Sequence, residues 1–587
     1  MNSYFIPTTR NVSWEIFSFD LNNDGTKDFI LFDQSKNELI PFTSVGKSTW
    51  TEDEKLFLDG NITVAEKPQI LFDDFNKDGY KDLLVYGLGP LINGRFQGTR
   101  PHLLLGSSNN KYTESPLLDE VYQLMMDQSI SGAYGWGQTD LAVSTKYISS
   151  ADINNDGLMD LWIESSGGWN ASGHFLLNYG NKFHPTQRPI QPFDYWGPNY
   201  AGWRYNITKF IDLNKDGAAD LVMGQMRAHS FQTDATSKIF MNDGAGLFPT
   251  KKIVNLPTPD FNGGWTKVTD LDSGDIDGDG LTDLVLIHTR YGSTTPEYSA
   301  TSWIGTYVQI LTQKKDGGFE DKSWKLGDQI SWSASTNSRD RYAEIVQVVD
   351  VNKDGKLDIV LGYPWNTPPN NTDCPLILLQ SEYATFASVD YRSIATEGKL
   401  QSAVTVKLNS DVDIAFAYIE SKNDSNGIAI TSVEPSALVP LYKVSRVKHG
   451  GASYALDTDA VAGQAYRIYK AAFDRIPDSG GLGYWIAQMD KGMGVVEVAA
   501  RFIDSPEFRS LYGQNPSNAD FLTKVYTNVL GRTPDQGGYD WWLNELNTNP
   551  DKTRQKVLAD FAEIQENKES VAALVANGIQ YAEFLES

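Results

Sequence analysis

The sequence predicts a mainly β fold, a β-propeller built from repeated blades, followed by a C-terminal all-α domain. Three observations lead to this prediction: an acidic motif that recurs six times, a short apolar run after each copy, and a helical apolar period that begins near residue 455. The predicted boundaries are 1–440 for the propeller, 441–455 for a linker and 456–587 for the helical domain.

The acidic motif spans nine residues and fits the pattern D-x-[DN]-x-D-G-x-x-D in every copy. The copies begin at Asp20, Asp74, Asp152, Asp212, Asp275 and Asp350, so that consecutive starts lie 54 to 78 residues apart. A period in this range indicates a repeat architecture with one supersecondary unit per repeat.

Short apolar runs bounded by Gly, Asn and Asp flank the motif, and such runs are typical of β-strands. The runs at 29–32 and 83–87 follow the first two copies, and a third run with a turn comes later in the unit, as at 176–183 and 239–248. Radial repetition of small sheets limits the number of exposed sheet edges, as in a propeller.

The chemistry of the motif indicates a calcium loop. Ca²⁺ takes six to eight oxygen ligands at about 2.3–2.6 Å, and a tight loop can supply side-chain oxygens from positions 1, 3 and 5. The glycine at position 6 permits the sharp turn, position 7 offers a backbone carbonyl, and position 9 adds a carboxylate. Softer metals would call for Cys or His, which the loops lack, and magnesium prefers to keep several waters. The simpler alternative is that Asp, Asn and Gly only form turns here.

We therefore predict about six structural calcium ions. The predicted ligands are the backbone carbonyl at the seventh position and the side chains at the other positions of each loop, namely Asp20, Asn22, Asp24, Thr26, Asp28, Asp74, Asn76, Asp78, Tyr80, Asp82, Asp152, Asn154, Asp156, Leu158, Asp160, Asp212, Asn214, Asp216, Ala218, Asp220, Asp275, Asp277, Asp279, Leu281, Asp283, Asp350, Asn352, Asp354, Lys356 and Asp358.

Over about residues 1–440 these units resemble the FG-GAP or VCBS repeats of integrin α-chain propellers and of many bacterial secreted proteins. The resemblance implies that each loop is a calcium-binding hairpin loop near the start of a blade. Residues 406–418 contain a strand, an acidic turn without glycine, and a second strand. We interpret them as a seventh blade without metal, with an outlying β segment as the alternative. Residues 4–6 are expected to close the ring by joining this last blade.

Composition favours an extracellular protein. The net charge of −25 argues against nucleic acid and anionic membrane surfaces as partners, and the single Cys374 excludes an intramolecular disulfide. Extracellular calcium modules bind at about 10⁻⁴–10⁻³ M, which requires abundant calcium. Residues 1–20 hold one basic residue, Arg10, and no apolar run of signal-peptide length. We expect either type I secretion with an uncleaved C-terminal signal or a signal peptide removed before the numbering begins. The sequence contains no apolar stretch of 18 residues, so no transmembrane segment is predicted.

The helical domain contains a repeat of its own. The pattern that runs from Tyr469 to Trp485 is matched 57 residues later, from Tyr526 to Trp542. In each copy we predict that a helix stops before the proline, that the chain turns at two glycines, and that Arg475 or Arg532 clamps the turn, with anion binding as the alternative role. Ser505 and Ser517 are predicted N-caps. The pattern resembles a helical domain of unknown function in bacterial secreted and surface-layer proteins, which implies assembly, attachment or export.

The predicted function is that of a secreted bacterial cell-surface protein, with a calcium-stabilised propeller used for adhesion or extracellular assembly. Its partners would be a cell-surface glycan, a protein or another copy of the chain. The alternative is a lectin, because aromatic side chains in polar loops suit sugar rings, although such residues also pack between blades. The tryptophans concerned are Trp169, Trp196, Trp203, Trp265 and Trp365. No metal-hydrolase or nucleophile-elbow motif occurs, so no enzyme is predicted. A polysaccharide-active enzyme is the second alternative, since some lyases use propellers.

Overall fold

The computed structural model describes residues 3–8, 12–45, 49–60, 62–64, 66–92, 95–98, 101–119, 145–165, 173–185, 204–226, 236–249, 252–259, 267–290, 305–333, 343, 345–362, 377–380, 386–389, 404–407, 414–422, 425–432, 440–443, 446–449, 451–531, 533–575 and 578–584. The chain forms two units. The first comprises Met1–Ser323, Gln329–Leu379 and Ser388–Leu441, and the second comprises Trp324–Asp328, Gln380–Ala387 and Tyr442–Ser587.

The first unit consists of successive antiparallel sheets, which we number 1 to 7. The strands of sheets 1 to 3 are β2 (Val12–Phe19), β3 (Asp28–Asp33), β4 (Glu38–Ser44) and β5 (Trp50–Glu52), then β6 (Glu66–Asp73), β7 (Asp82–Ile92), β8 (Arg95–Gly98), β9 (His102–Leu105) and β10 (Thr113–Ser115), then β11 (Thr145–Ala151), β12 (Asp160–Ser165), β13 (Gly173–Asn178) and β14 (Phe183–Pro185). Strand order follows chain order in sheets 1 and 3, whereas in sheet 2 the extra strand β8 pairs with β7 beside the path β6–β7–β9–β10.

Sheets 4 and 5 repeat this arrangement and are joined by a single bridge between Met226 and Lys267. Sheet 6 has the order β24–β25–β26–β27–β31. The strands of these sheets are β15 (Arg204–Ile211), β16 (Asp220–Met226), β17 (Lys238–Phe240) and β18 (Ile253–Asn255), then β19 (Lys267–Gly274), β20 (Asp283–Arg290), β21 (Gly305–Gln313), β22 (Phe319–Asp321) and β23 (Ser331–Ser333), then β24 (Ile345–Val349), β25 (Asp358–Gly362), β26 (Ile377–Gln380), β27 (Phe386–Val389) and β31 (Pro440–Lys443).

Sheet 7 is built from both ends of the first unit. It has the order β1–β30–β29–β28, with β1 (Ser3–Thr8), β28 (Val404–Lys407), β29 (Ile414–Lys422) and β30 (Ser425–Ser432). Tyr4 pairs with Ile430 and Ile6 with Ile428, so the prediction that residues 4–6 join the last sheet is confirmed. The acidic turn predicted within residues 406–418 falls at 408–413, outside the described residues.

Consecutive sheets pack face to face through separate apolar clusters. In β7, Leu83 and Val85 face sheet 1, whereas Leu84 and Tyr86 face sheet 3. Because side chains alternate along a strand, a strand covered on both faces reads as a continuous apolar run. The same arrangement joins sheet 3 to sheet 4 and sheet 4 to sheet 5. The predicted strand-like runs that follow the motifs are therefore confirmed as buried second strands.

The second unit is mainly helical. Its described helices are α1 (Val461–Phe473), α2 (Ser479–Asp490), α3 (Val495–Ile503), α4 (Pro506–Tyr512), α5 (Asn518–Leu530), α6 (Gln536–Thr548), α7 (Arg554–Ala562) and α8 (Gln565–Val575). Buried alanines on α1, such as Ala465 and Ala472, let it contact α2, α3, α4, α5, α7 and α8. None of the helices in the described ranges has the length and apolar character needed to cross a membrane.

The predicted helix starts at Ser505 and Ser517 are confirmed, because their side chains accept the N–H groups of Phe508 and Asp520. The glycine pairs do not form the turn we predicted. Asp478 caps α2 and accepts the N–H of Gly481 at 2.7 Å, so the glycines lie in the first helical turn. A Cβ on Gly481 would lie 2.5 Å from the hydroxyl of Tyr469, which explains why this position has no side chain.

The segment 441–455, predicted as a linker, contains two strands instead. Strands β32 (Arg446–His449) and β33 (Ala452–Ala455) form a hairpin that pairs with β34 (Ile579–Tyr581). Gly451 adopts a φ of 79° in the turn of this hairpin, a conformation that glycine accepts without steric cost. Polar and glycine residues at 448–453 therefore mark a hairpin turn rather than a flexible connection.

Candidate metal centres

Each acidic loop joins the first strand of a sheet to the second. Position 1 follows the last residue of the first strand, and position 9 is the first residue of the second strand, in all six sheets that carry the motif. All thirty predicted ligands lie within the described residues. The structure therefore brings each predicted set together in one loop and presents the six loops in the same place within their sheets.

The six loops share one backbone conformation. Position 4 is left-handed in every copy, with φ between 55° and 61° at Asn23, Lys77, Asn155, Lys215 and Lys353 and 76° at Gly278. The glycine at position 6 has φ between 83° and 91°. A lysine in the left-handed region is uncommon and is held there by its surroundings. Simple turn propensity does not require this strained conformation in every copy.

The side chains at positions 1 and 5 wrap around the loop backbone. In the first loop, Asp20 Oδ1 accepts the N–H of Asp24 at 3.0 Å and Asp20 Oδ2 accepts that of Gly25 at 2.9 Å. Asp24 Oδ1 in turn accepts the N–H of Thr26 at 2.7 Å. The bonds from position 6 to position 1 and from position 7 to position 5 recur in all six loops. Several carboxylate oxygens are thereby gathered inside one short turn.

The fifth loop is the most acidic, because it has Asp277 where the other copies have asparagine. One oxygen each of Asp275, Asp277 and Asp283 lies within 4.8 Å of the others. Two ligands of one calcium ion are at most about 5 Å apart, given bonds of about 2.3–2.6 Å. Asp275 Oδ1 is buried without a hydrogen-bond partner, whereas the equivalent atom in the other five loops accepts an N–H group. A buried unpaired carboxylate oxygen in an all-oxygen cluster fits a hard divalent cation.

The aspartate at position 9 has a role that the motif did not reveal. Asp220 is fully buried, and its two oxygens accept the N–H of Leu213 at 3.1 Å and that of Asn242 at 2.9 Å. The carboxylate therefore joins the loop to the end of the third strand. The equivalent bonds to the third strand recur in sheets 1, 2, 3 and 5.

Burial also changes the acidity of these aspartates. Loss of hydration raises the pKa of Asp28, Asp82, Asp220 and Asp283 to about 6 and the pKa of Asp160 to about 7, although backbone hydrogen bonds oppose the shift. The role of position 9 as a metal ligand stays a prediction.

Two buried asparagines outside the acidic motif also hold the loops. Asn242 donates from Nδ2 to the carbonyl of Ile153 at 2.8 Å, and Asn178 donates from Nδ2 to that of Phe75. Both acceptors lie at position 2 of the loop in the preceding sheet. The available signal was an Asn-x-Gly sequence directly after the third strand, where the side chain also accepts the N–H of the glycine.

Several predicted features lie outside the described residues, namely Trp169, Trp196, Trp203, Trp265, Trp365 and Arg532. Arg475 is described, and it donates to the carbonyl of Ile476 at 3.2 Å and lies 3.7 Å from Asp478, as the predicted clamp requires. Its shortest contacts go to Glu507 at the start of α4, at 2.7 and 3.0 Å. A carboxylate partner therefore occupies the guanidinium, which disfavours the alternative role in anion binding.

Family models match two parts of the chain. The model for an FG-GAP-like repeat matches residues 212–286 and 275–361, which confirms the predicted repeat type for these units. The model for a domain of unknown function, DUF4214, matches residues 499–571 in the helical unit.

Similarity to individual proteins is low. A T-cell immunomodulatory protein homolog of Plasmodium falciparum is 25% identical over 346 residues, which are 56% of this chain and 44% of that protein. The chain thus spans less than half the length of this curated relative. An Agrocybe aegerita lectin, solved for its recognition of non-reducing terminal N-acetylglucosamine, is 18% identical, with 64% and 79% of the two chains covered and a TM-score of 0.35. A rhamnogalacturonan lyase of Bacillus licheniformis is 13% identical, with 74% and 76% covered and a TM-score of 0.35. Likeness at this level carries no conclusion about the ligand of this chain.

Proposed function

We propose that the six acidic loops bind calcium and that the ions are structural. The observation that carries this proposal is the common loop geometry, with left-handed backbone at positions 4 and 6 in all six copies and an unpaired buried oxygen on Asp275. Bound calcium would neutralise carboxylates that otherwise repel one another within a nine-residue turn. It would fix the turn between the first two strands of each sheet.

We also propose that sheets 1 to 7 form a seven-bladed ring. Three features support a ring. Strand β1 from the N-terminal end completes sheet 7, which links the two ends of the first unit. First strands of consecutive sheets contact one another at β2–β6, β11–β15, β15–β19 and β19–β24, and β2 also contacts β28 and β29 of sheet 7. The face-to-face apolar clusters follow the same order.

The function we propose is that of an extracellular cell-surface protein, with the propeller used for adhesion or assembly. Calcium sites with extracellular affinity fill only where calcium is abundant. At a tenfold excess of calcium each site contributes about 1.4 kcal/mol, so that six contribute about 8 kcal/mol. That sum is comparable with the whole stability of a typical domain, which favours folding and function outside the cell.

Carbohydrate binding is the second candidate. The sequence places tryptophan beside glycine or asparagine in several connections between strands, for example Gly168-Trp169-Asn170 and Trp365-Asn366. Aromatic rings stack on the apolar face of sugars, and amide groups bond to hydroxyls. No catalytic constellation is proposed, and the expectation that the chain is not an enzyme stays a prediction.

The experiment that tests the proposal compares the full chain in millimolar calcium and in chelator. Sedimentation velocity reports self-assembly, and a glycan and whole-cell binding assay reports adhesion. The proposal expects calcium-dependent, saturable association in at least one of the two assays. Binding confined to one sugar class would favour the lectin candidate. A folded, calcium-loaded chain that stays monomeric and binds neither glycans nor cells would contradict the proposed function.

A further inference from the structure

The side chain at position 4 of three loops reaches into the next sheet. Lys77 in loop 2 donates from Nζ to the carbonyl of Asp156, the fifth residue of loop 3, at 3.2 Å. Lys215 in loop 4 donates to the carbonyl of Gly280, the sixth residue of loop 5. Asn155 in loop 3 donates to the carbonyl of Gly244 in sheet 4 at 3.2 Å. Loop 2 is thus bonded directly to loop 3, and loop 4 to loop 5. The link from loop 3 to loop 4 runs through Gly244 and Asn242, whose backbone N–H bonds to Asp220 of loop 4.

A second set of bonds runs in the opposite direction. Asn178 of sheet 3 donates to the carbonyl of Phe75 in loop 2, and Asn242 of sheet 4 donates to that of Ile153 in loop 3. Both asparagines are almost fully buried, with 1% of their surface exposed. Each of these two loops is therefore held by its own sheet and by the sheet that follows.

Position 4 is well placed to transmit the state of the loop. It lies between positions 3 and 5, both of which are predicted calcium ligands. The left-handed backbone that directs its side chain toward the next sheet is unfavourable for lysine in isolation and is tolerated by asparagine. An ion held by the flanking residues would order this backbone and with it the bond to the next loop.

We propose that loops 2 to 5 bind calcium as a coupled row, in which occupation of one loop raises the affinity of its neighbour through the position-4 side chain. The inference rests on the proposed calcium binding. Coupling between sites is a free energy that acts equally in both directions. If an ion in one loop raises the calcium affinity of its neighbour, an ion in the neighbour must raise the calcium affinity of the first loop by the same factor.

The row ends at loop 5. Position 4 of this loop is Gly278, which has no side chain to reach sheet 6. The neighbouring first strands are joined differently, because Asp270 and Asp272 on β19 accept the N–H groups of Val346 and Val348 at 2.9 and 2.7 Å. Loop 6 is therefore expected to bind calcium independently of loop 5.

The charge of Lys77 acts against calcium binding at loop 3, whereas its hydrogen bond supports the coupling. These two effects can be separated. An ammonium group beside loop 3 repels a cation there, so its removal raises the intrinsic affinity of loop 3. The hydrogen bond transmits order and is lost in the same variant. Lys77→Met should strengthen calcium binding at loop 3 and at the same time remove the dependence of loop 2 on loop 3.

Tyr80 makes loop 2 observable by itself. It is the one aromatic residue at position 7 of the six loops, next to the predicted ion, and its ring can sensitise terbium luminescence. Trp50 donates to the carbonyl of Lys27 in loop 1 and would sensitise terbium there. The part of the terbium luminescence that disappears in Tyr80→Leu therefore comes from loop 2. The loss of this luminescence on adding calcium reports the calcium affinity of loop 2.

The test compares four full-length proteins that differ at loop 3 and at the bridge. In the wild-type background, Asp152→Ala disables loop 3 and is expected to weaken calcium binding at loop 2 by about fivefold, a typical coupling. In the Lys77→Met background, Asp152→Ala is expected to alter the calcium affinity of loop 2 by less than about twofold. Asp350→Ala in loop 6 is the matched control and should leave the calcium affinity of loop 2 unchanged. Equal effects of Asp152→Ala in both backgrounds, or none in the wild type, would overturn the inference.

A second measurement does not depend on a disabled loop. In a direct terbium titration of the metal-free protein, loop 2 fills more steeply when sites are coupled, so the apparent Hill coefficient at loop 2 should exceed 1 in the wild type and fall to 1 in Lys77→Met. A coefficient of 1 in both proteins would contradict coupling and leave calcium binding intact. If no terbium signal at Tyr80 is displaced by calcium, the proposal of calcium binding itself fails.

Discussion

The two units of the chain obtain order by different means. In the first unit, buried and half-buried carboxylates accept backbone N–H groups at the turn of every repeat, and the loops gather further acidic oxygens. In the second unit, the repeated helices begin at N-caps and enclose an apolar core of alanine, leucine and aromatic side chains. Under the proposed calcium binding, repeats based on acidic turns depend on a counter-cation, whereas repeats based on packing do not. Calcium should therefore distinguish the two units.

Removal of calcium by a chelator should have the largest effect on the difference in stability between the two units. Calorimetry of the full chain should show two transitions, of which the one for the first unit loses about 8 kcal/mol of stability when calcium is removed. The stability of the second unit should change by less than about 0.5 kcal/mol, the usual range for changes that touch no buried group. Equal shifts of both transitions would show that the difference between the units is not due to calcium.

Truncation of the helical core should give an effect that calcium does not change. Phe502 is 3% exposed, and its ring packs on Tyr469, Phe473 and Trp485 at centroid distances of 4.8 to 5.2 Å. Phe502→Ala is expected to cost about 3–5 kcal/mol in the second transition. Leu511→Ala, at a site that is 42% exposed, is the control. Rescue of Phe502→Ala by calcium would contradict the distinction.

Acid should reduce the contribution of His288 to the stability of the first unit. Burial lowers the pKa of this side chain from 6.5 to about 4, although its hydrogen bond to Gln309 opposes the shift. Below pH 6.5 the unfolded chain binds a proton that the folded chain excludes, so stability falls with pH until the folded pKa is reached. At pH 4.5 the contribution lost is about 2–3 kcal/mol relative to pH 7.5.

The measurement for His288 is denaturant unfolding of wild type and His288→Gln in chelator at both pH values. Because a glutamine side chain does not titrate, the stability advantage of the wild type should shrink by about 2–3 kcal/mol on acidification. A constant difference between the two proteins would show that His288 is protonated in the folded state as easily as in the unfolded state.

The two kinds of loop aspartate should respond differently to amide substitution. Asp220→Asn replaces one of the two acceptor oxygens with a donor, so that the N–H of Leu213 or of Asn242 loses its partner, and is expected to cost about 2 kcal/mol in chelator. Asp212→Asn, at a half-buried position of the same loop, should cost little in chelator and should lower stability in calcium. If Asp220→Asn is neutral in chelator, position 9 has no structural role apart from the ion.

The smallest expected effect concerns a helix cap. Asp535 accepts the N–H of Gly538 at 2.8 Å at the start of α6. Asp535→Ala should lower the stability of the second unit by about 1 kcal/mol, whereas Asp535→Asn should retain most of the cap. Thermal melts of both variants in chelator check this, and equal melting temperatures for Asp535→Ala and wild type would show that the cap is not needed.

The sequence predicted those parts of the structure that depend on neighbouring residues. The acidic loops, the apolar strands after them and the caps at Ser505 and Ser517 follow from spacings of a few residues. Residues 4–6 were also placed correctly, because a sheet that lacks its outer strand needs a partner from elsewhere in the chain.

Features that depend on distant partners were not predictable in this way. The position-9 carboxylate of Asp283 accepts an N–H from Gln313, 30 residues away, and the hairpin that starts at Arg446 pairs with a strand near residue 580. The glycines at 480 and 481 were assigned to a turn because glycine usually marks one. Here the close hydroxyl of Tyr469 explains Gly481, and that contact is visible only in three dimensions.

The most direct test of the central claim is the number of calcium ions bound per chain. The full-length protein would be dialysed to equilibrium in millimolar calcium, and its metal content measured against a chelated sample and a magnesium sample. We expect about six calcium ions per chain, five after Asp275→Ala, and little magnesium. A folded protein that retains no more than one calcium ion under these conditions would contradict the assignment of the six loops.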